Sequence, residues 1–193
     1  MNKYCRLIAG VSTFLACATL AHSEGLLGKR YLEVGVATDS DFDDFGFGLA
    51  YNMPIKADML DLAIELGRDE EGIVETAVID VTFYAPVSQG SLTKVYIAPV
   101  LGYFQAETGY WWSPNVSDLV YGVSVGTEYE LAENSNLTTS ISYLDSEDFG
   151  DFGVSFDVGY NHWFTDSFNG EIALGYNTES EDASFSLSAR WAF

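Results

Sequence analysis

From Lys29 onward apolar and polar residues alternate with period 2, and short clusters of Gly, Asp, Asn, Ser and Glu interrupt the alternation. Successive side chains on a strand point to opposite faces, so each alternating run reads as a strand with one apolar side. Ten such runs can be counted. The clearest sets Phe45, Phe47, Leu49, Tyr51 and Met53 against Gly46, Gly48, Ala50 and Asn52. The first is 31–38, with Leu32, Val34 and Val36 on its apolar face. The others are 60–67, 77–84, 94–106, 119–131, 137–143, 152–161, 171–176 and 183–193. Two runs echo each other: Asp44-Phe45-Gly46 and Asp151-Phe152-Gly153 open them, and Tyr51-Asn52 and Tyr160-Asn161 close them. Pro99 falls inside the fifth run. A closed sheet has no edge on which to hide a missing donor, so a bulge or a lost ladder bond is expected there.

The faces and connections then decide between a soluble sheet and a membrane one. The apolar face carries large aliphatics in mid-strand and aromatics near the ends, with Phe45, Tyr103, Tyr143, Phe152 and Tyr176 at one rim. Tyr51, Phe83, Tyr129, Tyr160, Trp163 and Trp191 fall at the other. The opposite face is Gly, Ala, Ser and Asn interspersed with acids. A soluble barrel would be patterned the other way, with bulky apolar side chains inside. Counted in chain order, the odd connections hold Asp39, Asp41, Asp43 and Asp44, then Asp69, Glu70 and Glu71, then Glu107 and Asp118. The last two odd ones hold Asp145, Glu147, Asp148 and Asp151, then Glu179, Glu181 and Asp182. The even ones carry little charge. An up-and-down meander places all odd connections at one end, whereas crossing connections would not sort charge by parity. The pattern therefore predicts a closed antiparallel up-and-down transmembrane β-barrel of ten strands, with eight as the alternative count.

Composition changes the picture at the N-terminus. Lys3 and Arg6 precede an apolar stretch, 7–20, and Ala21-His22-Ser23 offers the small residues a signal peptidase reads, so 1–23 is expected to be a signal peptide and 24–193 the barrel domain. A lipidated Cys17 fits less well, because Phe14 and Leu15 do not suit the small-residue box before it. Both cysteines, Cys5 and Cys17, lie in that leader, which leaves a mature chain without thiol or disulfide. Beyond it no apolar run approaches the roughly 18 residues of a membrane helix. The net charge of −21, about −23 without Lys3 and Arg6, argues against nucleic acid and anionic membrane surfaces as partners. Aromatics make up 15% of the chain, which argues against disorder.

The last run, 183–193, puts Phe185, Leu187, Ala189, Trp191 and Phe193 on one face and Ser184, Ser186, Ser188 and Arg190 on the other. A terminal aromatic on such a strand resembles the C-terminal signal of bacterial outer-membrane β-barrels. The whole mature chain resembles a small protein of that Gram-negative family, and no motif marks a subfamily. The resemblance implies recognition by the barrel-assembly machinery, contact with outer-membrane lipid and lipopolysaccharide, and long outer loops with short periplasmic turns. Both termini would be periplasmic and the acidic loops extracellular, on a monomer.

Catalysis in such barrels, as the resemblance implies for omptin-like proteases and lipid A-modifying enzymes, depends on histidine near the outer rim. Here His22 belongs to the leader and His162 lies beside an even turn, so no enzyme and no cofactor are expected. Asp39, Asp41 and Asp43 have the alternating spacing of a Ca²⁺ loop. Asp44 stands where the turn glycine belongs and the closing glutamate is missing, so a solvated acidic rim is the plainer reading. Inside, Glu33, Asp61, Asp80, Glu128, Asp157 and Glu171 point to the lumen, with Arg190 as the firm inward base between Glu33 and Glu171. Such charges are costly to bury alone, so they form either an ion-pair network or an acidic constriction. Gly, Ala and Ser on the lumen face leave space for water. Two functions follow as expectations: a narrow cation-favouring channel or passive barrel, and an interaction module with acidic, Ca²⁺-binding outer loops.

Overall fold

The computed structural model describes residues 27–40, 42, 45–56, 59–69, 74–87, 92–106, 116–146 and 150–193. Ten strands run β1 (Tyr31–Asp39), β2 (Phe45–Lys56), β3 (Leu60–Asp69), β4 (Val74–Pro86), β5 (Thr93–Ala106), β6 (Val116–Ala132), β7 (Ser135–Ser146), β8 (Gly150–Thr165), β9 (Phe168–Asn177) and β10 (Ala183–Ala192). Each pairs antiparallel with its neighbours in sequence, and β10 pairs with β1 to close the barrel. Strand-for-strand succession puts both termini and the even connections at one end, here the terminal end, and the odd connections at the other.

The facing is that of an inside-out barrel. Leu49, Ile64, Ile79, Leu101, Tyr121, Ile141, Val158 and Leu174 are exposed on the outside. Their sequence neighbours Ala50, Ala63, Asp80, Val100, Val120, Ser142, Asp157 and Ala173 are buried on the inside. The exposed apolar surface runs round the whole barrel, a pattern that water would penalise and lipid would cover. The Thr127 and Thr139 hydroxyls, opposite each other on the outer face of β6 and β7, lie 2.9 Å apart and pair.

Pro99 faces outward without a bulge. The β4–β5 ladder breaks between Asp80↔Val100 and Phe83↔Ile97 and resumes in the same register, because a proline cannot donate the bond a partner would accept there. Three side chains depart from the sequence reading. Phe152 is buried, 3% exposed, while its counterpart Phe45 is 37% exposed. The β7–β8 register shifts at this point and Gly153 takes φ +84°, which turns Phe152 off the outer face. Trp163 is opposite the fully buried Asn169 and so faces inward, not into the aromatic rim. Asp118 lies within β6 with its side chain buried, and its carboxylate accepts the Leu119 amide at 2.7 Å, so it is not a loop acid. Asp41, Asp43, Asp44, Glu70, Glu71, Glu107, Glu147 and Asp148 lie outside the described residues.

Candidate functional site

The lumen is lined by polar side chains all the way round. On β4 to β8 the buried apolar residues Val78, Tyr84, Tyr96, Ala98, Val100, Val120, Leu144 and Phe152 are interspersed with Thr76, Asp80, Glu128, Thr138 and Asp157. Arg190, 0% exposed, anchors the charged cluster of β8, β9, β10 and β1. In the ladder it stands between Glu33 on β1 and Asn169 on β9. Its Nε donates to Glu33 Oε2 at 2.7 Å, and a terminal nitrogen donates to Glu171 Oε2. The other terminal nitrogen donates to the Asn161 carbonyl and, at 3.4 Å, to that of Asn169. Asn161 in turn donates to Glu171 Oε1 at 3.3 Å, and the guanidinium carbon lies 5.9 Å from the Tyr31 ring centre. One cation thus holds two buried carboxylates, and the Asn161 and Asn169 carbonyl oxygens take its remaining terminal nitrogen.

The other predicted lumen acids form separate clusters. Asp61 accepts the Gly28 amide at 2.8 Å, Asn52 Nδ2 at 3.2 Å and the Tyr84 hydroxyl at 3.4 Å. Glu128 accepts Asn136 Nδ2 at 2.8 Å and lies 3.7 Å from Lys94 Nζ. Asp80 accepts the Thr82 hydroxyl at 3.2 Å, and Asp157 accepts that of Ser140 at 3.1 Å. Among the described residues eight acids are buried (Glu33, Asp61, Glu65, Asp80, Asp118, Glu128, Asp157 and Glu171), against one buried base, Arg190.

The small lumen residues do not simply leave space for water. A Cβ on Gly126 would collide with the Tyr96 ring, and one on Gly159 with the Glu171 carboxylate. At Gly175 it would sit 2.5 Å from Ser184 Oγ and 2.7 Å from Asp157 Oδ1. These glycines are seats over which larger neighbours lie, so the lumen is narrower than its glycine content implies.

Glu65, Asn52, Asn161 and Asn169 escaped the sequence reading as site residues. Glu65 shares the inward face of Asp61 two steps away. Asn52 and Asn161 end the two echoed runs, each following an outward Tyr, and each is placed to hold a buried acid. His162 sits outside near the terminal end. Its Nδ1 lies 2.9 Å from Ser135 Oγ, and its ring meets Phe164 edge-on at 4.9 Å. Of the Ca²⁺ candidates only Asp39 is described, at the end of β1. Among the described residues no group of three or more His, Cys, Asp or Glu is arranged to hold a metal.

No protein-family model and no curated protein matches the sequence. Solved structures do. The KdgM porin aligns with a TM-score of 0.54 at 9% identity, over 84% of this chain and 99% of its own. The NanC porin aligns at 0.55 and 8%, over 84% and 100%. An outer-membrane channel from Pseudomonas putida F1 aligns at 0.56 and 11%, over 89% and 99%. These likenesses establish the fold, that of bacterial outer-membrane β-barrels.

Proposed function

We propose that this chain is exported by its 1–23 leader, inserts in a Gram-negative outer membrane and acts as a narrow channel favouring small cations. The observation that carries the reading is the lumen's charge, eight buried acids against one buried base among the described residues. Carboxylates in a low-dielectric passage attract cations and repel anions. Side chains fill small barrels, so the passage would be tight and suited to ions rather than sugars. The KdgM porin has been solved in complex with disordered oligogalacturonate. That polyanion is the class of solute an acid-lined lumen would exclude. The uninterrupted apolar outer face supports the membrane setting, and Phe193, 74% exposed beside Tyr51, would be open to the assembly machinery. The three solved neighbours named above are porins or channels, which supports a non-catalytic role. Odd loops rich in acids would face outward and contact lipopolysaccharide through bridging cations.

Planar-bilayer recordings in a KCl gradient test the reading. Discrete steps with a reversal potential of cationic sign are expected, and Asp80→Asn should move that potential toward zero. Anion-favouring steps would contradict it. So would silence in both the native chain and the variants described next.

A further inference from the structure

Residues 27–30, before the first strand, do not run clear of the barrel. Leu27 packs on Tyr84, Tyr96 and Ala98, a buried apolar cluster on β4 and β5. The Gly28 amide donates to Asp61 Oδ2 on β3 at 2.8 Å, and the Lys29 carbonyl accepts Asn52 Nδ2 of β2 at 2.9 Å. Lys29 Nζ then sits 3.9 Å from the centre of the Trp163 ring on β8. In the ring order β8 is five strands from β3 in either direction, the diametrically opposite wall. The segment therefore reaches across the terminal-end mouth and is tied down on both sides. Arg30 closes it off, its carbonyl accepting the Phe193 amide at 3.1 Å. Gly28 has φ +86°, a left-handed turn that an L side chain resists, and this turn aims its N–H at Asp61. The Lys29 pKa is lowered, chiefly by partial burial, with Asp166 opposing the shift and Lys94 adding to it.

We propose that residues 27–30 are a plug over this mouth, periplasmic in the proposed orientation, and that withdrawing it opens the lumen. Among the described residues one leucine, three hydrogen bonds and one cation–π contact hold it. No ladder bond of the barrel proper has to break for it to leave, so it belongs to the low-stability end of the fold, where moving elements are found. Its release would uncover Asp61 and Asn52 at the entrance. The gating role rests on the channel reading above, whereas closure of the mouth does not.

The test uses the full chain with Cys5→Ser, Cys17→Ser and Ala98→Cys, which places one thiol beneath Leu27. Two changes outside the strands release the plug: Leu27→Ser, which removes the apolar anchor, and Gly28→Pro, which removes the amide and the turn. Heat-modifiable migration confirms that each barrel has formed. Labelling by a small cationic thiosulfonate should be slow with the native segment and about tenfold faster in both variants, as loss of a partly buried leucine anchor implies. Bilayer open probability should rise in parallel. Unchanged labelling and unchanged openings in both folded variants would overturn the plug, even if the native chain conducts. Faster labelling with no conductance in any variant would sustain the plug and sink the channel.

Discussion

Arg190 is the residue on which the cluster of Glu33, Glu171 and Asn161 depends. It pairs with Glu33 and Glu171 at once, and its guanidinium is fully buried. Replacing it by methionine leaves two carboxylates inside with no cation, which should cost about 3–5 kcal/mol in urea titrations of vesicle-inserted protein. Arg190→Lys should fall between, since it keeps the charge and loses the fork. A loss under about 1 kcal/mol for the methionine variant would mean that the acids carry protons or other partners. Arg190 was legible in the sequence because it is an inward base among inward acids. Asn161, Asn169 and Tyr31 were not, since a neutral polar side chain gives no sign in sequence of what it meets. Phe152 was misread for a local reason: alternation assumes one residue per rung, and the shifted register beside Gly153 breaks that count.

At the scale of the strand, period 2 fixed all ten elements and, Phe152 and Trp163 apart, their facing, because every strand has one apolar side. It could not show that the large buried apolar side chains, Tyr31 aside, gather on β4 to β8. Val78, Val120 and Leu144 are apolar on both readings, and which neighbours they meet across the lumen follows from barrel closure. Nor could it show that glycines seat their neighbours' side chains. Two glycines separate backbone demand from mere space. Gly153 has φ +84°, and a Cβ there would lie 2.8 Å from Glu179 Cβ, so Gly153→Ala should lose about 1–3 kcal/mol in the same titration. Gly35 needs no positive φ, and its nearest neighbour, Ser188 Cβ, is 3.3 Å from the added Cβ, a tight contact that needs a shift of only a few tenths of an ångström, so Gly35→Ala should cost clearly less than Gly153→Ala. Equal effects would mean that the register shift at β8 imposes no conformation of its own.

For the whole molecule, the account depends on which face meets lipid. The sequence showed this through the sorting of acids by connection parity and through the placement of bulky residues opposite small polar ones. The plug was not legible, because residues 27–30 carry no periodicity and their role is set by where barrel closure brings Asp61 and Trp163. The adjacent pair Leu62 and Ala63 on β3 tests the facing directly. Leu62 lies on the outer face, and Ala63 is fully buried in the lumen between Asn52 and Asp80. Stability of Leu62→Arg and Ala63→Arg in phospholipid vesicles is the measurement. Leu62→Arg should lose about 2–4 kcal/mol near the midplane, while Ala63→Arg loses clearly less because Asp80 is there to receive the guanidinium. Equal losses, or a greater loss for Ala63→Arg, would contradict the inside-out barrel.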